Sequence, residues 1–327
     1  MRALVLGATG HIGAHIVRAL LADGHQVRAT SRSDRFLSLL EGLLIERTRV
    51  DLDTLEGLPQ ALEDCEWVFH AAGYDPGFRD RYQPAIARGI DSTRRVLDAF
   101  RRARPQCIVF TSSAATIRRV PDRLATEADA EPWPLDGPRS LYATVKIAME
   151  REVVQAAASG LPVVVVNPSV CLGEYDAHPF SGKLLLAFVK YRLPCYLEKA
   201  FNVVYTGDVG VGHVRAAMRG RIGERYLLTH RLLALKDLAE LACREAGIPP
   251  PRIRLPLAVA RAAAEASEAA AWMTRTEPLI PREMVRNTFI GQSLDGSKAV
   301  RELGLPQTPV EEAVRRALRW FAAHGYL

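Results

Sequence analysis

The sequence lacks the cysteine pattern of a secreted or zinc-binding protein. Its 327 residues include 5 cysteines, an odd number, and none forms a Cys-x-x-Cys pair. Because most of these cysteines lie in apolar runs, we expect reduced thiols, no metal site and a cytoplasmic location. We also expect no secretory signal, because the first strand is predicted to start at residue 2.

Long uninterrupted apolar runs are also absent. A helix that spans a membrane needs about 20 predominantly apolar residues. The alanine-rich stretch 255–274 has that length, but it carries Arg261, Glu265 and Glu268. We therefore expect no integral membrane segment.

Lysine is scarce, since the chain has 6 lysines and 37 arginines, and the formal net charge is +6. The arginines are scattered along the chain, which argues against a nucleic-acid-binding surface. No repeat or low-complexity segment is present. With 48% hydrophobic residues, the chain is long enough to bury a full core in one large or two smaller domains.

Glycine is concentrated in a short stretch near the start, Gly7-Ala8-Thr9-Gly10-His11-Ile12-Gly13. It follows the apolar run 3–6 and leads into helical spacing over residues 12–21, an order that predicts strand, tight turn and helix. Glycines let the backbone approach a pyrophosphate, whose charge then faces the N–H groups and positive dipole end of the helix. The stretch predicts a dinucleotide-binding turn; a glycine-rich turn without a ligand is the alternative.

Apolar runs and helical segments alternate as far as residue 170. This alternation is typical of an α/β fold with a doubly wound parallel sheet. We assign residues 1–170 to a cofactor-binding domain and residues 171–327 to a smaller, mainly helical substrate-binding lobe. Segments near 203–229 are expected to return to the sheet, with a turn at Gly207-Asp208.

The end of the second predicted strand selects the cofactor. Residues 26–30 are followed by Ser31 and Arg32. A carboxylate here would favour NAD(H), whereas an arginine with small hydroxyl neighbours suits the 2′-phosphate of NADP(H). NADP(H) is therefore favoured and NAD(H) is the alternative. Arg28 and Arg35 are further candidates for the phosphate contact.

The ends of the next two strands supply more candidate cofactor contacts. Asp51 and Leu52 follow the third strand, where a carboxylate can meet the adenine amino group, and Asp53 is expected to cap the following helix. Ala71 and Ala72 follow the fourth strand, and such small side chains let a flat cofactor lie against the backbone.

Tyr142 and Lys146 lie four residues apart on a predicted helix, so they share one face. Chance alone would give about 0.2 such pairs in this chain, but a lysine in an arginine-rich sequence suggests a need for a compact ammonium. We expect that ammonium to lower the phenol pKa from its usual value near 10 by about two units, into the range useful for proton transfer. Ser113 at the fifth strand end would hold the substrate oxygen, with Ser112 as the alternative.

As a set, these segments resemble the extended short-chain dehydrogenase/reductase superfamily over nearly the full chain. The segments concerned are the glycine turn, Asp51-Leu52, His70-Ala71-Ala72, Thr111-Ser112-Ser113, Tyr142 to Lys146 and Asn167-Pro168-Ser169. The resemblance implies a Rossmann fold and a catalytic triad of Ser113, Tyr142 and Lys146. It also implies cofactor contacts from Asn167, Pro168 and Ser169, and a homodimer by analogy.

Two subgroups of the superfamily share further stretches with this chain. The strand end Val27-Arg-Ala-Thr-Ser-Arg32 resembles dihydroflavonol-4-reductases, while the later stretch Gly220 to Tyr226 is similar to hopanoid-associated sugar epimerase-like proteins. Two departures stand out. Gly89 replaces an asparagine of many relatives, and Phe201 stands where nucleotide-sugar epimerases carry an arginine that clamps the diphosphate. An apolar ring cannot neutralise a diphosphate.

These observations favour an NADP(H)-dependent ketone reductase or secondary-alcohol dehydrogenase. Its expected substrate is a bulky, largely apolar small molecule of polycyclic, isoprenoid, steroid-like or flavonoid-like type. The alternatives are a sugar or sugar-nucleotide epimerase and a catalytically silent cofactor-binding protein, of which the second would require loss of the triad. The candidate substrate residues are Tyr74, Phe78, Cys171, His178, Phe180, Tyr205 and Phe289.

Overall fold

The computed structural model describes residues 1–77, 79–132, 135, 140–276, 278, 282, 285 and 293–327. The strands in that part of the chain are β1 (Arg2–Leu6), β2 (Gln26–Ser31), β3 (Glu46–Arg49), β4 (Trp67–His70), β5 (Cys107–Thr111), β6 (Val163–Pro168), β7 (Val170–Leu172), β8 (Cys195–Tyr196), β9 (Ala200–Tyr205), β10 (Arg225–Leu228), β11 (Arg231–Ala234) and β12 (Ile253–Arg254). The helices are α1 (His11–Ala22), α2 (Leu58–Leu62), α3 (Tyr82–Ala103), α4 (Leu141–Ala158), α5 (Lys183–Val189), α6 (Thr206–Arg219), α7 (Leu235–Glu245), α8 (Leu257–Thr274), α9 (Ser297–Leu303) and α10 (Val310–Ala323).

Seven of these strands form one sheet in the order β10-β6-β5-β4-β1-β2-β3, and every neighbouring pair is parallel. The interior strands are continuous apolar runs such as residues 163–166, all fully buried, because helices cover both faces. Helices α1 and α6 pack together, as do α3 and α4. The predicted doubly wound parallel sheet is confirmed. The strand order reverses between β1 and β4, and this reversal opens a crevice at their carboxyl ends.

The rest of the chain builds a lobe around smaller sheets. Strands β11, β9 and β7 form a three-stranded sheet, and β12 pairs with β8. Residues of α5, α7 and α10 share one hydrophobic cluster with β9, and Phe201 is buried within it. Of the segment near 203–229, β10 joins the parallel sheet, whereas β9 pairs in the three-stranded sheet.

Two local predictions are wrong. Gly207 and Asp208 form no turn, because α6 already begins at Thr206. A Cβ on Gly207 would lie 2.2 Å from a ring carbon of Tyr205, so glycine serves close packing there. The Asp208 carboxylate accepts hydrogen bonds of 2.7 and 2.8 Å from the backbone and hydroxyl of Thr308.

Asp53 does not cap the helix after β3. Helix α2 begins at Leu58, and its N-cap is Gly57, which has a φ of 76°. A Cβ on Gly57 would lie 2.3 Å from the carbonyl oxygen of Arg49, so the helix starts where glycine permits the close turn.

The cysteines are free thiols, and all except Cys195 are buried. Among the described helices, none is both long and apolar enough to cross a bilayer.

Candidate functional site

A cleft of about 390 Å³ opens at the carboxyl ends of β1, β4, β5 and β6. Many of the residues predicted from the sequence border it, which places the glycine turn, the serine pair and the Tyr142 helix around one space. These residues are Thr9, Gly10, His11, Ile12, Ala71, Ser112, Ser113, Tyr142, Lys146, Pro168, Ser169, Cys171, His178 and Phe180.

The glycine turn is built so that backbone forms the floor of the cleft. Gly7 has a φ of +81°, and a Cβ on it would lie 2.8 Å from the methyl carbon of Ala72. A Cβ on Gly13 would lie 2.0 Å from the carbonyl oxygen of Gly7. Helix α1 starts from Gly10 with no side-chain cap and no acidic residue in its first turn. Its first N–H groups therefore face the cleft as a site that fits a pyrophosphate.

Two buried polar atoms at the cleft support this fit. Nε2 of His11 and Oγ of Ser169 have no hydrogen-bond partner within the described part of the chain. Nδ1 of His11 lies 3.9 Å from Oδ1 of Asp176. Burial lowers the pKa of His11, and the carboxylates of Asp176 and Glu174 only partly oppose this shift. Buried polar groups rarely stay unpaired, so both atoms are suited to contact a polar ligand.

Ser113, Tyr142 and Lys146 meet at one end of the cleft. Ser140 caps α4 by accepting a hydrogen bond of 3.1 Å from the backbone N–H of Ala143, which fixes the start of the helix. Tyr142 and Lys146 then lie one turn apart, with Nζ 5.6 Å from the centre of the phenol ring. The Ser113 hydroxyl borders the same space, and it acts to lower the pKa of the Tyr142 phenol. The arrangement brings a hydroxyl, a phenol and an ammonium together at the cleft.

The expected lowering of the phenol pKa is wrong for this arrangement. Burial raises the pKa of Tyr142; Lys146 and the Ser113 hydroxyl oppose the shift, but Asp75 adds to it and the net direction is upward. The charge of Lys146 is compensated, because its Nζ lies 2.6 Å from Oδ1 of Asp75. Burial acts to lower the pKa of Lys146, but Asp75 and Tyr142 outweigh it and raise that pKa. Tyr142 is consequently a neutral phenol near pH 7.

Ser112 and Asn167 are bound into a buried network below the cleft. Ser112 donates to the Glu150 carboxylate, and Asn167 Nδ2 donates to the same carboxylate oxygen at 2.6 Å. Thr116 donates a third hydrogen bond to it at 2.9 Å. The side chains of Ser112 and Asn167 are thus engaged with Glu150, whereas Ser113 borders the cleft and its Oγ accepts a hydrogen bond of 3.2 Å from the backbone N–H of Ala115.

The end of β2 exposes Arg32 and buries Arg28. The Arg32 side chain is 73% exposed, and its Nη1 lies 3.8 Å from the carboxylate of Asp53. Arg28 was a candidate for the phosphate contact, but the structure contradicts this role. Its guanidinium donates to the carbonyl of Ala61 at 2.7 Å and to Glu46 at 2.8 Å, so it serves the end of α2.

The remaining predicted cofactor residues lie behind or beside the cleft. Ser31 is half-buried at the end of β2. Oδ1 of Asp51 accepts a hydrogen bond of 2.8 Å from the backbone N–H of Asp53. Leu52 and Ala72 are half-buried and pack against the core on the α3–α4 side of the sheet.

The predicted substrate residues divide into three groups. Cys171, His178 and Phe180 border the cleft, and the Phe180 ring lies 5.7 Å from that of Tyr142 between centres. Tyr74 and Tyr205 are absent from the described lining: their hydroxyls donate to Asp80 at 2.7 Å and to Glu174 at 2.6 Å. Phe78 and Phe289 lie outside the described residues.

Several residues at the cleft were missed by reasoning from the sequence, among them Phe36, Asp75 and Asp176. Each stands alone in an irregular segment, so no spacing marks it. Asp75 follows the small residues at the end of β4, and only its position after that strand gave a signal.

Comparisons with known proteins identify the family of the chain. Residues 3–226 match the model of the NAD dependent epimerase/dehydratase family. A candidate dihydroflavonol 4-reductase from Synechocystis sp. is 31% identical over 99% of this chain and 95% of its own length. Sterol demethylase protein B from Methylococcus capsulatus is 31% identical over 100% of both chains.

A solved structure shows the same fold. The crystal structure of a nucleoside-diphosphate-sugar epimerase from Pseudomonas aeruginosa superimposes with a TM-score of 0.83 at 30% identity, covering 100% of this chain and 99% of that one. Together with the cleft and its glycine turn, these matches establish that the chain belongs to the NAD dependent epimerase/dehydratase family, as an NAD(P)-dependent enzyme of the extended short-chain dehydrogenase/reductase superfamily that acts on CH–OH groups.

Proposed function

We propose that the protein is an NADP(H)-dependent reductase that converts a ketone in a bulky, largely apolar molecule to a secondary alcohol. The observation that carries this proposal is that Ser113, Tyr142 and Lys146 border one cleft next to the aromatic ring of Phe180. The names of the two relatives, a flavonoid-type reductase and a sterol-modifying protein, support a substrate of this class.

The charge of the cleft favours this substrate over a nucleotide sugar. Among its described lining residues, Lys146 is the sole lysine or arginine, and Asp75 already pairs with it. Phe201, at the place of the epimerase arginine, is buried in the lobe core. A substrate diphosphate would therefore lack a bidentate cation there.

Residues 1–170 would hold the cofactor, and residues 171–327 would supply much of the substrate side. The N-terminus of α1 and the unpaired Oγ of Ser169 would bind the phosphate and ribose portions, and Arg32 would contact the 2′-phosphate. The bound cofactor supplies the hydride. The preference for NADP(H) over NAD(H) rests on Arg32 at the end of β2.

The protein's own groups then handle the oxygen and the proton. Ser113 and Tyr142 would both donate hydrogen bonds to the ketone oxygen and so fix its position. As the carbonyl carbon gains the hydride, the Tyr142 phenol gives its proton to the oxygen, and the Lys146 ammonium stabilises the phenolate left behind. The raised pKa of Tyr142 keeps the proton available at neutral pH, which suits reduction.

The proposal is tested with NADPH and a panel of ketones graded by size and polarity. We expect stoichiometric loss of NADPH absorbance with apolar polycyclic ketones. Tyr142→Phe is expected to lower kcat about 100-fold or more, because it removes the proton donor. Tyr82→Phe is the matched control, because it removes a phenol hydroxyl that is hydrogen-bonded at 2.8 Å to Thr144, on the same helix as Tyr142. This variant should change kcat by less than about twofold.

Two results would contradict the reductase. One is unchanged turnover by Tyr142→Phe. The other is a tightly retained nicotinamide together with epimerised sugar-nucleotide product, which would favour the epimerase that the family match leaves as the second candidate.

A further inference from the structure

The ammonium of Lys146 has a carboxylate partner supplied by the loop after β4. Oδ1 of Asp75 lies 2.6 Å from Nζ, and the lysine side chain is 9% exposed while that of the aspartate is 62% exposed. The loop leaves space for this contact, because a Cβ on Gly73 would lie 3.2 Å from Nζ. Asp75 therefore connects a buried cation to the surface.

The structure leaves little space at Gly89 for an asparagine side chain. Gly89, at that place in α3, is buried against α4. A Cβ there would lie 3.0 Å from Cγ1 of Val145 and 3.3 Å from Cγ of Met149. Two helices meet too closely at this point for an amide side chain, so no polar group can reach the Tyr142–Lys146 pair from α3 at this position.

We propose that Asp75 is a positioning residue that pairs with the Lys146 ammonium next to Tyr142, offsets part of its charge and links it to solvent, at a place that no side chain from Gly89 of α3 can reach. The inference rests on the proposed function of the Tyr142–Lys146 pair and adds a fourth group to it. Through this contact Asp75 sets how strongly the lysine charge acts on the phenol.

The electrostatics give the direction of the effect. Lys146 favours ionisation of Tyr142, whereas the negative charge of Asp75 raises the pKa of Tyr142. Neutralising Asp75 leaves the ammonium uncompensated, so the phenolate becomes more stable. Loss of the carboxylate should thus shift Tyr142 toward ionisation at a lower pH.

The direct test needs neither cofactor nor substrate. The full chain labelled with 13C at tyrosine Cζ is titrated by NMR, and the Tyr142 signal is identified by its absence in Tyr142→Phe. In Asp75→Asn we expect the ratio of ionised to neutral Tyr142 at pH 10 to rise about tenfold, a shift of about one pH unit. Circular dichroism at the same pH establishes that each variant is folded.

Two variants separate the carboxylate from its surroundings. Asp91→Asn removes an equal charge from an exposed pair with Arg95, at 3.1 Å, and should leave the Tyr142 titration unchanged. Asp80→Asn removes an anchor of the same loop, whose carboxylate accepts a hydrogen bond of 2.8 Å from the Gly77 N–H, and should move the titration less than Asp75→Asn.

Activity supplies the second readout. The pH profile of kcat/KM for alcohol oxidation should shift to lower pH in Asp75→Asn, which a merely structural role would not produce. An unmoved Tyr142 titration, or equal shifts in Asp75→Asn and Asp80→Asn, would overturn the inference. So would tighter NADPH binding with no shift, since Asp75 would then be only a competitor for the site. If the Tyr142 titration shifts in Asp75→Asn but the protein reduces no ketone, the proposed function is contradicted and the inference about Asp75 is not.

Discussion

Arg32 is the residue on which the proposed cofactor choice depends. Its guanidinium is exposed and only loosely paired with Asp53, at 3.8 Å, so it can turn toward a 2′-phosphate. Charge-assisted contacts of this kind contribute about 1.5–3 kcal/mol, so Arg32→Ala should weaken NADPH binding roughly 10- to 100-fold and leave NADH binding within about twofold. Calorimetric titration of both cofactors measures the ratio.

Arg101→Ala is the control for this prediction. Arg101 is also exposed, but it lies in the last turn of α3 and pairs with Asp98 at 2.6 Å, so removing it should change the ratio of the two affinities little. Equal affinity of the unaltered protein for NADPH and NADH, or an equal loss in both variants, would show that Arg32 does not select the cofactor.

Residue patterns predicted the composition of the site better than its electrostatics. The spacing of Tyr142 and Lys146 indicated a shared helical face, because helix geometry depends on local sequence. The pKa of Tyr142 depends on burial and on Asp75, which lies 71 positions from Lys146 along the chain and near it in space. Arg28 was misjudged for the same reason, since its partners are the carbonyls at the end of α2.

Among the secondary-structure elements, the carboxyl ends of β5 and β6 are joined to α4 through Glu150. This carboxylate accepts from Ser112, Thr116 and Asn167 on one oxygen and from Arg225 on the other, at 2.6 Å. It is 3% exposed. Glu150→Ala removes the acceptor that these four groups share, and Thr116 and Asn167 keep only their bonds to each other and to the Ser113 carbonyl. We therefore expect a loss of about 3 kcal/mol in the free energy of unfolding, measured by urea denaturation.

Glu152→Ala is the matched control for Glu150. Glu152 also pairs with an arginine, Arg94, at 2.7 Å, but that arginine is 62% exposed. Exposed pairs contribute about 1 kcal/mol or less, so the variant should lose far less stability. Similar losses in the two variants would mean that the buried network does not hold the strand ends to α4.

Elements with strong local signals were predicted well. The bounds of β4 are those of its apolar run, and the glycine turn marked the start of α1 within one residue. The errors lie where tertiary contacts decide the boundary. Helix α6 begins at Thr206, and Asp208 in its first turn accepts hydrogen bonds from Thr308, about a hundred residues further along the chain. The hydrophobic periodicity of a segment cannot reveal a partner so far away in the sequence.

For the whole molecule, the alternation of strands and helices was enough to predict the parallel sheet and the edge where the cleft opens. Parallel strands joined by helices can close in few ways, and their carboxyl ends share one edge. The lobe was less predictable, because short strands such as β8 and β12 have 2 residues each. Two residues carry too little pattern to distinguish a strand from a loop.

Three buried histidines, His15, His70 and His213, should make the stability of the whole fold sensitive to mild acid. Burial lowers the pKa of His70 and of His213 from 6.5 to about 4, and it lowers the pKa of His15 as well. Between pH 4 and pH 6.5 the unfolded chain binds protons on these histidines that the native chain does not. Their contribution to the free energy of unfolding is therefore complete above pH 6.5 and falls as the pH drops toward 4. We expect a loss of about 2 kcal/mol for each of His70 and His213 between pH 7 and pH 5, measured by urea unfolding at both values.

His70→Phe tests the cause of this acid sensitivity. His70 packs between the rings of Phe100 and Phe110, at 6.1 and 5.1 Å between centres, so phenylalanine retains an aromatic ring and removes the titrating group. The variant should lose about 2 kcal/mol less than the unaltered protein over the same pH interval. Phe110→Leu disturbs the same packing without changing a charge, and it should lower stability by the same amount at pH 7 and pH 5. If His70→Phe shows the full pH dependence, protonation of His70 does not couple to unfolding, and the acid sensitivity must come from other groups.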